Sequence, residues 1–476
     1  MGYDVRLDKF REECGVFGIY NKDAHDVARI TYYGLYALQH RGQESAGIAV
    51  NDTSTIVYHK DMGLVPEVFN NVVLNHLKGQ IAIGHVRYST TGASLRENAQ
   101  PMVIKYRNGQ MALAHNGNLV NAGEIREKLE ESGAIFQSTI DSEVILNLIA
   151  RNRISSETME EAIVKTVKEI KGSFALAILT PKRLIGVRDP LGIRPLCIGR
   201  LGNSYILASE TCALDAVGAE YVRDVNPGEI VLIGEEGITS VQVEAPKESK
   251  LCIFEFIYFA RPDSNIDGAS VHRARYEAGR KLAKEHPVEA DLVIGVPDSG
   301  LTGAMGYSME SGIPYGEGLI KNRYIGRTFI QPDQGQRETG VRIKLNALRN
   351  AIEGKRLVMV DDSIVRGTTS KRIVQILKDA GAKEVHMRVS SPPIMFPCYF
   401  GIDTPSRKQL VASSHSVEDI RELVGADSLG YLSLEGLLET PVNSKCGFCD
   451  ACFGGKYPMD VPLEGNKYNC GGNNQR

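Results

Sequence analysis

The sequence predicts two fused domains, a strand-rich α+β domain followed by an α/β domain built on a parallel sheet. Short alternating runs at residues 80–84, 174–178 and 229–233 recur between Gly-rich and Asn-rich turns, which is the pattern of sheet strands. After residue 250, buried-strand runs at 291–296 and 356–360 alternate with helical stretches, a pattern typical of parallel sheets. The change of pattern places the domain junction near residue 250.

The elements follow in order along the chain. A charged leader over residues 1–13 precedes a first domain over 14–245, in which helices are predicted at 121–132 and 141–151. The polar, proline-bearing run 244–250 predicts the linker. A second domain follows over 246–445, with a helix at 370–380, and residues 446–476 form a cysteine-bearing C-terminal tail.

Composition excludes several classes of function. The chain has 476 residues, a net charge of −3 and no long block of one charge, which argues against a nucleic-acid or membrane surface. No stretch approaches the roughly 18 apolar residues of a membrane span, and no secretory signal is present. Nine cysteines in such a chain indicate catalytic or metal-bound thiols in a reducing, cytoplasmic compartment. We therefore expect a small-molecule substrate.

Cys14 is the first candidate nucleophile, because it follows the charged leader and precedes the run Gly-Val-Phe-Gly-Ile. Removal of residues 1–13 would leave its thiol beside a new α-amino group. An amine with a pKa of about 8 can act as the base for that thiol. The commoner role of a lone cysteine before an apolar run is a buried core thiol, so the rest of the chain must decide.

The strongest local motif spans residues 357–370. An apolar strand leads to Asp361 and Asp362, and a small, hydroxyl-rich loop then opens a helix near Ser370. Such a loop offers N–H groups and hydroxyls to a phosphate, while the two acids can hold ribose hydroxyls or Mg²⁺. The alternative is a turn whose polar residues only cap the helix. The loop residues are Ser363, Arg366, Gly367, Thr368 and Thr369.

This run resembles the phosphoribosyl pyrophosphate signature of the type I phosphoribosyltransferases. The resemblance implies that Asp361 and Asp362 contact ribose hydroxyls or Mg²⁺ and that the loop 363–369 holds the 5-phosphate. Residues 293–300 resemble the family's pyrophosphate loop, with Ser299 as a candidate Mg²⁺ contact. The basic, glycine-containing run 321–344, which ends at Lys344, has the composition of a lid over a diphosphate, although a solvated charged face is the alternative.

Four motifs of the first half, at 39–47, 84–92, 114–119 and 141–143, follow the Cys-Gly-Val-Phe-Gly start. Together they resemble the class II glutamine amidotransferases, which are N-terminal nucleophile hydrolases. The resemblance implies that Cys14 attacks the glutamine amide and that Asn116 and Gly117, in a tight Asn-Gly turn, form the oxyanion hole. Arg87 and Asp141 would bind the α-carboxylate and α-ammonium of glutamine. Singly, each motif has a commoner structural role, and their joint occurrence carries the prediction.

Both halves together resemble one family, the glutamine phosphoribosylpyrophosphate amidotransferases, over nearly the whole chain. The resemblance implies transfer of the glutamine nitrogen to C1 of phosphoribosyl pyrophosphate, giving 5-phosphoribosylamine, glutamate and pyrophosphate in the committed step of purine synthesis. It also implies inhibition by purine nucleotides and a homotetramer. Two alternatives stay open: a class II amidotransferase with another acceptor, and a non-catalytic nucleotide-binding protein with a phosphoribosyltransferase fold.

The remaining motif is the thiol cluster Cys446, Cys449 and Cys452, whose spacing is typical of metal ligands. Spacing alone leaves zinc and an iron–sulfur cluster equally open. The family branch with a cleaved leader carries a [4Fe–4S] cluster, and its pattern maps onto Cys252, Cys398, Cys449 and Cys452. Cys446 is then an extra thiol, and the resemblance implies a cluster that cross-links distant segments. We expect Cys197, Cys212 and Cys470 to be structural or incidental.

Overall fold

The computed structural model describes residues 14–23, 25–52, 55–88, 95–107, 109–244, 248–322, 345–404 and 406–462. The predicted leader, nearly all of the predicted lid with Lys344, and Cys470 lie outside these ranges. Among the described residues, no helix has both the length and the apolar character that a membrane crossing requires.

Two antiparallel sheets form the centre of the first domain. The strands are β1 Gly15–Tyr20, β2 Ser45–Asp52, β3 Thr55–Met62, β4 Ile81–Arg87, β5 Met102–Tyr106, β6 Gly109–Leu119, β7 Gly172–Leu179, β8 Leu184–Arg188, β9 Cys197–Leu201, β10 Ser204–Ala208, β11 Glu220–Asp224, β12 Glu229–Gly234 and β13 Gly237–Gln242. A seven-stranded sheet has the order β11-β9-β10-β1-β4-β2-β3, and a six-stranded sheet has the order β13-β12-β8-β7-β6-β5.

The two sheets are stacked between layers of helices. Alternation along β1 shows the arrangement, because successive strand side chains point to opposite faces. Val16 packs in the core between the sheets with Ala114 and Ala177, whereas Phe17 packs with Leu35 on the outer face. The helices of this domain are Val27–Ala37, Val65–Val68, Asn71–His76, Ala122–Glu131, Asp141–Ile154, Met159–Glu169 and Thr211–Ala216, with a 3₁₀ turn at Arg96–Asn98.

The second domain is built on a four-stranded parallel sheet. The strands are β14 Lys250–Cys252, β15 Asn265–Ile266, β16 Ala269–Ser270, β17 Leu292–Gly295, β18 Leu319–Lys321, β19 Leu345–Ala347, β20 Arg356–Asp361, β21 Glu384–Val389, β22 Ser428–Tyr431 and β23 Gly447–Cys449. The parallel sheet has the order β17-β20-β21-β22. The further strands form short pairs, of which β14 and β23 are parallel.

Helices cover both faces of this parallel sheet. Val358 packs with Ala304 and Tyr307 on one face, and Met359 packs with Ile373 on the other. This burial of both faces explains the continuous apolar runs of the strands. The helices are Val271–Glu285, Gly300–Ser311, Arg349–Ile352, Thr368–Asp379, Val417–Val424, Leu434–Leu438 and Ala451–Gly454, with a π-helical turn Glu255–Phe259 and 3₁₀ turns Arg407–Gln409 and Val411–Ser413.

The predicted fold class is therefore confirmed: an α+β domain of the N-terminal nucleophile hydrolase type precedes an α/β phosphoribosyltransferase-like domain. The predicted helices are present as Ala122–Glu131, Asp141–Ile154 and Thr368–Asp379, the last beginning two residues before Ser370. The domain boundaries stay predictions. The structure adds that β23, in the predicted tail, pairs with β14 at the start of the second domain.

Candidate active sites

Cys14 lies immediately before β1, where that strand pairs with β4. It is 7% exposed, and its Sγ donates to the carbonyl of Tyr88 at 3.6 Å. Burial raises the pKa of the thiol to about 11, although the Tyr88 hydrogen bond and the Arg87 guanidinium act in the opposite direction. In the full chain, therefore, the thiol is protonated near neutral pH and needs a base to react.

Arg87 and Asp141 share the electrostatic environment of this thiol. Arg87 ends β4 and is 2% exposed, and Asp141 begins the helix Asp141–Ile154 and is 5% exposed. Burial alone would raise the pKa of Asp141. The imidazole Nδ1 of His115, 3.5 Å from Asp141 Oδ1, and the N–H of Leu119, 2.9 Å from Oδ2, lower it below its usual range. A buried carboxylate thus stays ionised beside a buried guanidinium.

The predicted oxyanion residues lie in a strand, so the predicted Asn-Gly turn is wrong. Asn116 and Gly117 are interior to β6 and pair with Ala175 and Phe174 of β7. Gly117 has φ +144°, and a Cβ there would lie 2.1 Å from the Ser173 carbonyl oxygen, so only glycine fits. The side-chain nitrogen of Asn116 is buried and has no hydrogen-bond partner among the described residues. An unmatched buried donor is costly unless a ligand completes it.

Sequence reasoning missed Arg41, which holds the backbone of the candidate nucleophile. Its fully buried guanidinium donates to the carbonyl of Cys14 at 3.1 Å. The same group donates to Glu210 at 2.5 Å and to Glu255, at the start of the second domain, at 2.6 Å. Arg41 and the adjacent His40 lie in the motif 39–47, which signalled the fold family but not a role for either residue.

The predicted phosphate loop follows β20 at the carboxyl edge of the parallel sheet. Asp361 and Asp362 are each 1% exposed, and Asp362 accepts from Ser363 Oγ at 2.5 Å and from Ser299 Oγ. Gly367 has φ +84° and precedes the helix Thr368–Asp379 without a side chain to cap it. The loop thereby leads directly into a helix N-terminus, where backbone N–H groups favour an anion.

A second helix N-terminus lies beside the first, because β17 and β20 are neighbouring parallel strands. Ser299 precedes the helix Gly300–Ser311, and its hydroxyl bonds Asp362 instead of capping that helix. The structure thus brings together the predicted Mg²⁺ set Ser299, Asp361 and Asp362. Hard oxygen donors of this kind suit Mg²⁺ that shares its coordination with substrate phosphates. In the described ranges, no set of three or more His, Cys, Asp or Glu is placed to hold a metal ion by itself.

The four predicted cluster cysteines come from distant parts of the chain and belong to one buried core cluster of the second domain. Cys252 and Cys449 are paired residues of the parallel strands β14 and β23. Burial raises the pKa of Cys449 to about 12, and the nearby Cys398 raises it further. Burial also raises the pKa of Cys452 well above its usual range, with Cys449 and Cys398 adding to the effect. Buried thiols of this kind are protonated near neutral pH and would release their protons on binding a metal.

The remaining described thiol of the tail, Cys446, has different neighbours. Cys446 is half-buried, and its Sγ lies 3.1 Å from Ser444 Oγ. Burial and Asp267 raise its pKa to about 12. Cys197 and Cys212 are buried in the first domain, in agreement with the structural role expected for them.

Comparisons with known proteins match both halves of the chain. A glutamine amidotransferase domain family matches residues 85–216, and a phosphoribosyl transferase domain family matches residues 269–391. Two sites of these two classes in one chain define a glutamine-dependent phosphoribosyl-transferring enzyme.

Full-length relatives extend the match to the whole chain. The amidophosphoribosyltransferase of Archaeoglobus fulgidus is 54% identical over 95% of this chain and 99% of that protein. That of Bacillus subtilis is 53% identical over 96% of both chains. A solved structure of the glutamine phosphoribosylpyrophosphate amidotransferase from B. subtilis, complexed with ADP and GMP, superposes with a TM-score of 0.89 over 94% of this chain and 98% of that one, at 53% identity. The chain belongs to the amidophosphoribosyltransferase family.

Proposed function

We propose that this enzyme releases ammonia from glutamine at Cys14 and uses it at a second site to convert phosphoribosyl pyrophosphate into 5-phosphoribosylamine, the committed step of purine synthesis. One observation carries the assignment of two sites: the candidate residues form two groups, one in each domain. A buried thiol shares a charged environment with Arg87 and Asp141 in the first domain. An acidic phosphate loop occupies the carboxyl edge of the sheet in the second domain.

The glutaminase half-reaction begins with removal of residues 1–13, which exposes the α-amino group of Cys14. This amine takes the thiol proton, and Sγ attacks the carboxamide carbon of glutamine. The tetrahedral intermediate collapses, the protonated amine returns its proton to the leaving nitrogen, and ammonia departs from a thioester. Water then hydrolyses the thioester, which gives glutamate and restores the thiol.

Two features of the first site support this sequence. The unmatched Asn116 side-chain amide can donate to the oxyanion together with the Gly117 N–H. Arg87 and Asp141 carry opposite charges that match the α-carboxylate and α-ammonium of free glutamine. The ionised state of Asp141, which His115 and Leu119 maintain, suits this role.

At the second site, ammonia attacks C1 of phosphoribosyl pyrophosphate, the bond from C1 to the pyrophosphate oxygen breaks with inversion, and the product amine loses a proton. Loop residues Ser363, Arg366, Gly367, Thr368 and Thr369 hold the 5-phosphate at the helix N-terminus. Asp361, Asp362 and Ser299 would hold Mg²⁺, which would supply charge neutralisation for the leaving pyrophosphate. Lys344 and the rest of the run 321–344 act as the lid.

The four converging thiols Cys252, Cys398, Cys449 and Cys452 hold a [4Fe–4S] cluster in this proposal. The pairing of Cys252 with Cys449, and the contribution of Cys398 to the raised pKa of both Cys449 and Cys452, support this ligand set. The cluster would cross-link β14, β23 and the segment around Cys398 without redox turnover.

Regulation, assembly and location complete the proposal. Purine nucleotides inhibit at the phosphoribosyl site and a neighbouring one in this proposal, and the complex of the B. subtilis relative with ADP and GMP supports nucleotide binding. We further propose a homotetramer in the cytoplasm, where a reducing environment protects the thiolates.

The proposed function is tested by pyrophosphate release from anaerobically purified protein with phosphoribosyl pyrophosphate and Mg²⁺. Glutamine and ammonium chloride serve in turn as the nitrogen donor. We expect release with both donors. Release with neither donor would contradict the proposal and favour a non-catalytic nucleotide-binding protein, and release with ammonia alone would contradict the glutaminase assignment for the form tested.

A further inference from the structure

The strand β6, which bears the proposed oxyanion residues and is called the oxyanion strand below, is connected by buried hydrogen bonds to a segment of the second domain, residues 399–401. Ser173, opposite Asn118 in the β6–β7 pair, connects the two. Its fully buried hydroxyl accepts from the backbone N–H of Asn118 at 3.3 Å and donates to the carbonyl of Phe400 at 2.7 Å. The Ser173 hydroxyl, 227 residues from Phe400 in sequence, thus links the strand that bears Gly117 to the segment 399–401.

Two further side chains of the first domain bond the same segment. The Asn118 side-chain amide donates to the carbonyl of Tyr399 at 2.9 Å. The Arg194 guanidinium, which is fully buried, donates to the carbonyl of Phe400. Buried hydrogen bonds of this kind fix position, because breaking one leaves a polar group unmatched.

Gly401 makes the closest approach to the oxyanion strand. Its φ is +106°, and a Cβ there would lie 3.1 Å from the carbonyl carbon of Gly117 and 3.2 Å from its Cα. The same Cβ would lie 3.0 Å from Arg194 Nη2. The backbone of the second domain is therefore in direct contact with the proposed oxyanion donor, with no room for a side chain between them.

The segment itself is anchored within the second domain. The N–H of Cys398 donates to Thr404 Oγ1 at 2.8 Å, and the N–H of Phe400 donates to Cys398 Sγ at 3.3 Å. The rings of Tyr399 and Phe400 both pack edge-on against Tyr457, with centroid distances of 5.2 and 6.2 Å. Because these contacts fix the segment 399–401, that segment can in turn hold β6 in place.

We propose that residues 399–401 are a positioning element for the oxyanion hole, so that the second domain sets the catalytic rate of the first. The proposal rests on the proposed glutaminase function of Cys14, Asn116 and Gly117. An oxyanion donor acts only when it is fixed at the point where charge develops, and loss of one donor costs roughly 10²–10³ in kcat. A partial displacement of the strand should lower kcat for glutamine and leave glutamine binding and thiol reactivity unchanged.

The test compares Ser173→Ala and Gly401→Ala in the anaerobically purified enzyme from which residues 1–13 have been removed. Gly354→Ala is the matched control, because Gly354 also has a positive φ, +73°, but an added Cβ meets nothing within 4 Å. Three quantities are measured: kcat and KM for glutamine hydrolysis, ammonia-dependent pyrophosphate release, and the rate at which iodoacetamide alkylates Cys14, followed on its peptide by mass spectrometry. Alkylation needs the thiol but no oxyanion hole.

We expect both variants to lose about tenfold or more in kcat for glutamine, a fraction of the cost of losing a donor. KM, ammonia-dependent release and alkylation should stay within about twofold of wild type, and the Gly354→Ala enzyme should be unchanged. If Gly401→Ala fails to fold, Ser173→Ala decides. A wild-type kcat in Ser173→Ala, or a parallel fall of all three activities in both variants, would overturn the inference. Glutamine hydrolysis by Cys14→Ala would instead refute the proposed function.

Discussion

At the scale of single residues, the surroundings of Cys14 in the full chain disfavour the thiolate that the proposed reaction needs. Its thiol is buried, and burial raises its pKa to about 11. A thiolate therefore forms only as the pH rises toward that value. A new α-amino group, charged below a pKa of about 8, would favour the thiolate and could also accept the proton.

We therefore predict different pH profiles for iodoacetamide alkylation of the two forms of the protein. With the leader present, the rate at Cys14 should keep rising through pH 9 and 10 without a plateau, because the thiol pKa is about 11. Without residues 1–13, the inflection should move to lower pH. Quantitative mass spectrometry of each form checks this, and identical profiles would contradict a role for the α-amino group.

Arg87 offers a second prediction at this scale. Arg87→Lys should raise KM for glutamine by about tenfold or more, because an ammonium cannot bind a carboxylate through two parallel N–H groups. Ammonia-dependent pyrophosphate release should not change. Steady-state kinetics with each nitrogen donor decide, and Arg96→Lys, an exposed arginine of the same domain, is the control. An unchanged glutamine KM would exclude Arg87 from the binding site.

The sequence was sufficient to predict residues that carry a motif, but not those defined by distant partners. The structure brings Cys14, Arg87 and Asp141 into one electrostatic environment, as expected. The Asn116-Gly117 turn was wrong because an Asn-Gly pair is a local signal, whereas pairing with β7 is a long-range one. Arg41 and His115 were missed because their roles depend on Glu255 and Asp141, far away in sequence.

At the scale of elements, apolar periodicity predicted strands in both domains, while several helices were missed, among them two of the first domain. The helix Val27–Ala37 contains Val, Ile, Thr and two adjacent Tyr residues, which weaken its intrinsic helix signal. Its N-cap residue, Asp26, is a sequence signal that could have predicted where this helix begins. The helix Met159–Glu169 likewise follows a capping Thr158. Packing against the sheets stabilises both helices beyond their propensity.

The buried ion network around Arg41 joins elements of both domains, and its loss should destabilise the whole chain. Arg41→Met would leave Glu210 and Glu255 buried without their shared cation. Removal of one partner from a buried ion pair costs about 3–5 kcal/mol of unfolding free energy. Urea unfolding measures the change, and Arg200→Met, which removes an exposed pair with Glu220, is the control. Equal midpoints for the two variants would contradict a structural role for the network.

At the scale of the whole molecule, the C-terminal region connects segments that are far apart in sequence. Cys252 begins the second domain, Cys398 precedes the segment that contacts Gly117, and Cys449 and Cys452 lie near the end of the described chain. Spacing predicted the tail ligands, but Cys252 and Cys398 came from resemblance alone, because no local pattern surrounds either residue. A cluster bound by all four cysteines would cross-link the start of the second domain, the segment that contacts Gly117 and the C-terminal region.

The cluster assignment predicts a selective loss of iron. Cys449→Ser, purified anaerobically, should lose the iron and the visible absorbance, because one of four thiolate ligands is missing. Cys446→Ser should retain both, since that thiol has Ser444 and Asp267 as neighbours. Iron analysis and absorbance spectra check both variants. Full iron content in Cys449→Ser would refute the ligand set, and iron loss in Cys446→Ser would show that the fifth thiol is a ligand.

The central claim is that ammonia is released from glutamine at one site and used at another. One pair of variants tests this claim most directly. Pyrophosphate release is measured for Cys14→Ala and Asp362→Asn with glutamine and with ammonium chloride. We predict that Cys14→Ala loses glutamine-dependent release and keeps ammonia-dependent release, because only the nitrogen supply is removed. Asp362→Asn should lose both, because the acceptor site is damaged. Equal loss of the two activities in Cys14→Ala would contradict the two-site account.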